Sequence, residues 1–403
     1  MATKSINSKF APSDRVISLG PNLAAIPERL LLAHARGEVL FIAGAGVSLA
    51  AGLPDFRGLT QAIYAKLDPA ACKVMATVPR KACNQWTANL AGLTNQQAAE
   101  VKRFITSDYD VVLGMLERRI DGTAGGSSSV RTAIANELRQ QSTKPAPIHR
   151  ALMQLADRGG AVTIVTTNFE HLLEDAVRRP LSTIQTYSLG GIPRPGRGND
   201  FSGVLHIHGA LSRDAKRTAD LIVSDQDFGE FYLRRRVVPD FIYDAARLFN
   251  LVLVGYSAND PPMRYLLNAV AADGTRFADL KERFTFVGIG SPDPVGLEDW
   301  KGRGITPISY STANSHAALL DTLERWATLS AVNGKQRLVD AEVKRIVRTK
   351  RDKSPDSDRD LFDHLIRRTT SNERNRLAAL ASKSGADLSW LDAIVSVTTE
   401  NER

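Results

Sequence analysis

Apolar residues along this chain fall into short dense runs separated by longer stretches where they recur every three or four positions. Residues 38–43 (EVLFIA) form one such run and end in glycines; 161–165, 251–254 and 284–289 form comparable ones. Continuous apolar runs of this length, divided by helical periodicity, predict buried parallel strands covered by helices on both faces. The expected architecture is a doubly wound α/β fold.

Between the first two strands lie about a hundred residues of helical composition, with candidate helices at 61–77, 95–105, 111–120 and 130–140. The last two flank DGTAGGSSS at 121–129, a flexible loop by composition. A crossover of this length reads as a helical subdomain inserted into the sheet topology and capping its cleft. After Trp326 the chain becomes strongly charged, passes through KRDKSPDS at 350–357 as an apparent linker, and resumes helical periodicity. That tail reads either as a regulatory or oligomerisation element or as a simple brace. The expected divisions are 1–36 (arm and helix), 37–327 (nucleotide-binding domain with the insertion at about 61–145) and 328–403 (charged helical region).

The chain has 403 residues, 43% of them hydrophobic, and a mean hydropathy of −0.18. It lacks any apolar run long enough to span a bilayer or an apolar stretch behind a basic N-terminus, so a cytoplasmic protein with no membrane partner is expected. A formal charge of +8 suits a polyanionic partner, but acids and bases interleave. The densest basic stretches, Arg234–Arg236 and Lys344–Lys353, read better as solvated faces than as a nucleic-acid site, which stays possible but not favoured. The two cysteines, Cys72 and Cys83, fit reduced thiols and exclude a four-cysteine zinc site.

Four motifs carry candidate chemistry. GAGVSLAAGLPDFR, from Gly44 to Arg57, follows the first strand and opens a helix, where glycines admit a pyrophosphate to free N–H groups. Thr166-Thr167-Asn168-Phe169-Glu170 stands where the second strand ends, the edge at which ligands of open α/β sheets collect. Capping of the following helix is the lesser reading of Thr167 and Asn168. In Leu205-His206-Ile207-His208-Gly209-Ala210, strand alternation puts both histidines on one face. No carboxylate or cysteine stands at ligand spacing beside them, so no metal is expected. Val254-Gly255-Tyr256-Ser257-Ala258-Asn259-Asp260-Pro261 follows a further strand. Ser48 and Ser257 lack the elbow of a serine hydrolase nucleophile.

With its Gly-Leu-Pro-Asp-Phe-Arg continuation, the first motif resembles the NAD-binding motif of the sirtuin family, and the other three follow in the family's order. The resemblance covers roughly residues 37–326 and implies a Rossmann-like sheet. It implies NAD contacts from Gly44, Ala45, Gly46, Ser48, Asp55, Phe56, Arg57, Thr167, Gly255, Ser257, Asn259 and Asp260. It also implies Asn168 beside the nicotinamide ribose, His208 as general base, and Asp55 with Arg57 closing the nicotinamide side. His206 reads as a supporting residue. Relatives usually carry aspartate where Glu170 stands, which leaves that side chain's role open. The family's deacetylases build their peptide cleft with a four-cysteine zinc module; this chain cannot, so water becomes the expected acceptor and NAD a substrate with no zinc required.

The Asn-Asp-Pro continuation resembles the bacterial sirtuin-like branch rather than the deacetylases, and zinc-free NADases of antiphage defence occur among such sirtuin-like proteins. That implies a gated NAD⁺ glycohydrolase giving nicotinamide and ADP-ribose, a homo-oligomer, and an activating partner such as a HerA-like ATPase or an Argonaute-type protein. The competing expectations are a non-catalytic NAD- or ADP-ribose-binding regulatory subunit, and a deacylase or ADP-ribosyl transferase.

Overall fold

A computed structural model of the chain describes residues 15–80, 87–122, 128–140, 143–177, 184–196, 201–214, 220–256, 280–290 and 294–401. Its centre is a seven-stranded parallel sheet in the order β5-β6-β4-β3-β7-β8-β9. The strands are β3 (Val39–Ala43), β4 (Thr163–Thr166), β5 (Gln185–Tyr187), β6 (Gly203–His206), β7 (Asn250–Val254), β8 (Arg283–Ile289) and β9 (Thr306–Ser311). β3, β4, β6 and β7 are buried at every position, which explains their unbroken apolar runs. β5 and β9 are half-exposed edges. Their mixed composition hides them from an apolar-run reading, and Pro307 is tolerated because β9 has only one neighbour.

β3 pairs with β4 on one side and β7 on the other. On one side of β3 the chain places β4, then β5 at the edge, then β6 between them, and it returns to place β7 on the opposite flank. The carboxyl ends of β3 and β7 therefore meet at a topological switch point, where doubly wound sheets bind ligands.

The long crossover after β3 is a helical unit. It comprises α2 (Ala45–Leu49), α3 (Phe56–Leu67), α4 (Pro69–Ala76), α5 (Asn95–Ile105), α6 (Tyr109–Asp121) and α7 (Ser129–Gln140). The helix anticipated over 61–77 is two, because Pro69 cannot continue α3; Asp68 caps α4 by accepting from the Ala71 amide at 3.1 Å. Ile63, Tyr64, Met75, Phe104, Leu113 and Ile134 give this unit a core of its own. Cys72 in α4 is half-buried, its thiol raised above its usual pKa by burial; Cys83 lies outside the described residues.

α8 (Pro147–Ala156) covers the sheet, with Ile148, Leu152 and Leu155 facing the core. Two single-turn helices, α9 (Leu172–Asp175) and α10 (Asp225–Phe228), follow β4 and β6. α11 (Val237–Leu248) buries Val238, Phe241, Ile242 and Ala245 in the second large cluster. α12 (Pro294–Gly302) precedes β9 and α13 (Ala313–Leu329) follows it. At the N-terminal side, β1 (Val16–Ser18) and β2 (Ala25–Pro27) form a hairpin that leads into α1 (Glu28–Ala35). No helix among the described residues is long and apolar enough to cross a membrane.

The charged C-terminal stretch is not set apart by a linker. Residues 351–353 form one 3₁₀ turn between α14 (Gln336–Val347) and α15 (Asp356–Arg367), and α16 (Ser371–Lys383) and α17 (Leu388–Asn401) follow. The charges mark an outer face: Arg345 pairs with Glu342 and Asp358, and Arg351 with Asp363. The inner face supplies Val343, Phe362, Leu365 and Trp390 to the same core as Phe41 of the sheet. Buried Glu28 of α1 accepts from Arg367 and lies 3.2 Å from His364 Nδ1, fastening α15 to the N-terminal helix.

Phe362 is fully buried, its ring 4.7 Å from that of Trp390. Phe362→Ala should cost about 3–5 kcal/mol. Urea unfolding followed by tryptophan emission and circular dichroism should remain one transition, whereas an independent tail would give two.

Candidate active site

Two glycine turns meet at the switch point. The Gly44 amide donates to the Val254 carbonyl at 2.8 Å and the Gly46 amide to the Gly255 carbonyl at 2.9 Å. A Cβ on Gly46 would stand 2.8 Å from the Gly255 Cα; one on Gly255, whose φ is +78°, would stand 2.6 Å from the Val47 nitrogen. The absence of side chains here lets the loops after β3 and β7 interlock. The amides of Gly44 and Gly46, expected to face a pyrophosphate, are thus engaged by the neighbouring loop, and Ala45 is the motif's first residue on the cleft wall.

The second motif is built on the same carbonyl end. Ala43 O accepts from the Thr167 amide, the Thr166 hydroxyl and the Tyr256 hydroxyl at 3.1, 2.9 and 3.0 Å. Thr166 Oγ1 in turn accepts from the Asn168 amide at 3.0 Å, and Thr167 Oγ1 lies 3.0 Å from Tyr256 Oη. The Asn168 side chain, 9% exposed, is presented over Gly44 and Ser48: Nδ2 donates to Gly44 O at 3.2 Å and to Ser48 Oγ at 2.8 Å. Ser48 then donates to Glu170 Oε1 at 2.5 Å, so the longer side chain at position 170 anchors the serine hydroxyl.

These residues line a cleft at the carboxyl edge of the sheet, where ligands of open α/β folds bind. Ser48, Thr167, Asn168, Glu170 and His208 supply its polar wall. Phe56, Leu59 and Leu138 of the helical unit, with Ile222 and Phe228, supply the apolar one. The helical unit is fixed to this rim by ion pairs. Arg131 bridges Glu117, Asp227 and the Leu221 carbonyl, and Arg118 binds Asp225 at 3.0 Å.

The two histidines do not share a face. β6 ends at His206 and the chain turns, with the Gly209 amide on the His206 carbonyl at 3.1 Å. Gly209 has φ +94° and a Cβ there would strike the Asp220 carbonyl, so this turn requires glycine. His206 points behind the Asn168 turn, 2.7 Å from Asn168 O and 3.0 Å from Glu174 Oε1, which corrects the expectation that no carboxylate stands beside it. His208 enters the cleft instead. Its Nε2 lies 2.6 Å from the Tyr232 hydroxyl and its ring packs edge-on to Phe228. Burial pushes its pKa down to about 3, leaving a neutral ring at neutral pH.

Asp55 and Arg57 do not close the cleft in this structure. Asp55 caps α3 by accepting from the Gly58 amide at 2.7 Å and pairs with Arg80 at 2.6 Å. Arg57 turns into the helical unit, donating to the Val78 carbonyl with its guanidinium 4.8 Å from the Phe104 ring centre. Phe56 between them does reach the cleft. Ser257, Asn259 and Asp260 lie outside the described residues. Motif reading missed Tyr232, whose only signal is structural: it sits in a π-helical turn at Gly229–Arg234, a form concentrated at functional sites.

Residues 162–308 match the family model of the SIR2-like domain. The chain is sirtuin-like over that stretch. It is 31% identical over 324 residues to the uncharacterized protein y4cA of Sinorhizobium fredii, covering 78% of this chain. The chain spans 24% of that relative's length. A solved structure described under the mechanism and regulation of Sir2 enzymes aligns over 74% of this chain and 96% of its own, at 13% identity and a TM-score of 0.35.

The interlock predicts unequal costs for two left-handed glycines. A Cβ on Gly52 (φ +88°) would have nothing within 4 Å, whereas one on Gly255 meets the backbone of Val47 and Gly44. Gly52→Ala should cost about 1–2 kcal/mol from the backbone conformation alone, and Gly255→Ala distinctly more. Equal shifts in urea midpoint would contradict the interlock.

Proposed function

We propose that this cleft binds NAD⁺ and hydrolyses its nicotinamide–ribose bond. The observation that carries the reading is that Asn168 and His208 line one cleft at the carboxyl edge of the sheet, beside the interlocked glycine turns. In the reaction the C1′–N bond breaks and its electron pair returns to the ring, so nicotinamide leaves neutral and needs no proton. Water forms the new C1′–O bond and yields a proton, giving nicotinamide, ADP-ribose and H⁺. The barrier is the oxocarbenium-like sugar, as in glycoside cleavage.

Asn168 would hold the ribose hydroxyls or the attacking water, steadied by Ser48 and Glu170 behind it. His208 would take the proton, which a neutral imidazole can do. The apolar wall from the helical unit would limit competing water. Water as acceptor is supported by the cysteine count, since the two cysteines of this chain cannot build the four-cysteine module of the family's deacetylases.

The enzyme is proposed to be gated, as a cytoplasmic effector of bacterial antiphage defence acting as a homo-oligomer with an activating partner. Gating is supported by the mutual engagement of the working groups: His208 is held by Tyr232 and Asn168 by Ser48 and Gly44. Both must exchange these partners for substrate.

Asn168→Ala should lower nicotinamide release by roughly 10²–10⁴-fold, the range usual for a lost catalytic group, while NAD⁺ still binds by calorimetry. Undiminished release from that variant would end the hydrolase reading; wild-type binding without turnover under every activating condition would favour a regulatory NAD-binding subunit. A second check is pH. The base form of His208 persists down to its depressed pKa of about 3. The kcat/KM profile, which reports the free enzyme, should therefore show no acid limb near the ordinary histidine value of about 6.5.

A further inference from the structure

Behind the Asn168 turn, outside the cleft lining, three side chains converge: His171, Glu174 of the short helix α9, and His206 at the end of β6. Their ligand atoms all lie within 4.8 Å of one another. Glu174 Oε1 is 3.3 Å from His171 Nδ1 and 3.0 Å from His206 Nε2. A tetrahedral site with bonds of about 2.0–2.1 Å has edges of about 3.3 Å, close to the two separations between the carboxylate and the rings.

The far nitrogen of each ring identifies where its proton sits. His206 Nδ1 is 2.7 Å from the Asn168 carbonyl and His171 Nε2 is 2.7 Å from the Leu211 carbonyl. A carbonyl can only accept, so both outer nitrogens are N–H donors. Each inner nitrogen then either aims a bare lone pair at a carboxylate or carries a second proton. With protons alone, satisfying all these contacts takes two imidazoliums for one carboxylate, in a pocket where the His206 side chain is 0% and that of Glu174 4% exposed. One divalent cation replaces those two inner protons at the same total charge and leaves the outer N–H bonds intact, the arrangement that orients metal-bound histidines. A second observation points to an ion: Glu174 Oε2 is buried with no hydrogen-bond partner among the described residues. The Thr186 hydroxyl, 2.7 Å from Oε1, fixes the carboxylate's orientation.

We propose that His171, Glu174 and His206 form a binding site for one divalent cation of the zinc class. Two imidazoles and a carboxylate suit zinc, cobalt or nickel rather than magnesium or calcium. The cysteine count excluded four-cysteine zinc sites only. His171, 14% exposed at its side chain, gives the ion its way in. The bound ion locks the His206 ring on the Asn168 carbonyl, so its occupancy stiffens the turn that presents Asn168. Only this last consequence rests on the proposed role of Asn168; binding of the ion does not.

The test is titration of the chelator-treated full chain with Co²⁺, read by visible absorption and by thermal melting. The expected result is saturable four-coordinate cobalt bands at one ion per chain, displaced by Zn²⁺, with a raised melting temperature. His171→Asn, at the most exposed ligand, should melt cooperatively like the metal-free wild type and bind more weakly by at least about 10-fold. Absence of saturable Co²⁺ and Zn²⁺ binding by the wild type would overturn the site, and that titration decides even if the variant does not fold. Unchanged affinity in a folded His171→Asn would overturn it as well. NAD⁺ turnover enters neither readout, so failure here and failure of the hydrolase reading are separable.

Discussion

The close approach of two backbone turns, after β3 and after β7, is the constraint on which the site depends. Parallel strands separated by four crossovers along the chain end side by side at the switch point, and their loops must pass within a bond's reach of each other. The Gly46 amide meets the Gly255 carbonyl at 2.9 Å, and a Cβ on either residue would collide with the other loop. Glycine in these turns therefore serves the protein's own packing before any ligand. The cost is conformational freedom in the unfolded chain, and it is offset by backbone hydrogen bonds that place both loops at fixed height above the sheet.

From that interlock the polar wall of the cleft is assembled by short links. Ala43 O gathers three donors from the neighbouring strand ends, Thr166 passes the order on to the Asn168 amide, and Asn168 meets Ser48 on the opposite loop. Each group is held by one that is itself held, the condition for a preorganised site. The opposite wall belongs to the inserted helices, brought to the rim by buried Arg131 and its partners Glu117 and Asp227. A charge buried so deeply is tolerated because both carboxylates and a carbonyl accept from it.

The basic character of the chain is largely compensated where it looks most concentrated. Arg234 and Arg235 share Glu230, Arg236 faces Asp240, and the arginines of the C-terminal helices find acids one turn or one helix away. Beneath them, an apolar stripe joins the C-terminal helices to the sheet's core. The tail is therefore a brace in this structure, and its outward charges keep that brace hydrated.

The buried strands and the helical insertion were legible in the sequence because burial on both faces writes itself as unbroken apolar runs, and one buried helix face as a period near 3.6. The glycine turn, Asn168 and His208 were legible because backbone approach and near-neutral proton transfer call for few residue types. The edge strands β5 and β9 were not, since half-exposed strands carry no such signal, nor was the break at Pro69 given weight within a helical pattern. The opposed directions of His206 and His208 depend on where β6 stops, which alternation cannot report. Glu174 reaches His206 from 32 residues away, and Arg57 turns from the cleft because the Val78 carbonyl and the Phe104 ring happen to lie behind it. Local composition determined which elements this chain forms and which chemical groups it brings; only the tertiary structure decided which groups meet, because contacts between distant segments follow from how the strands are ordered rather than from anything written beside either residue.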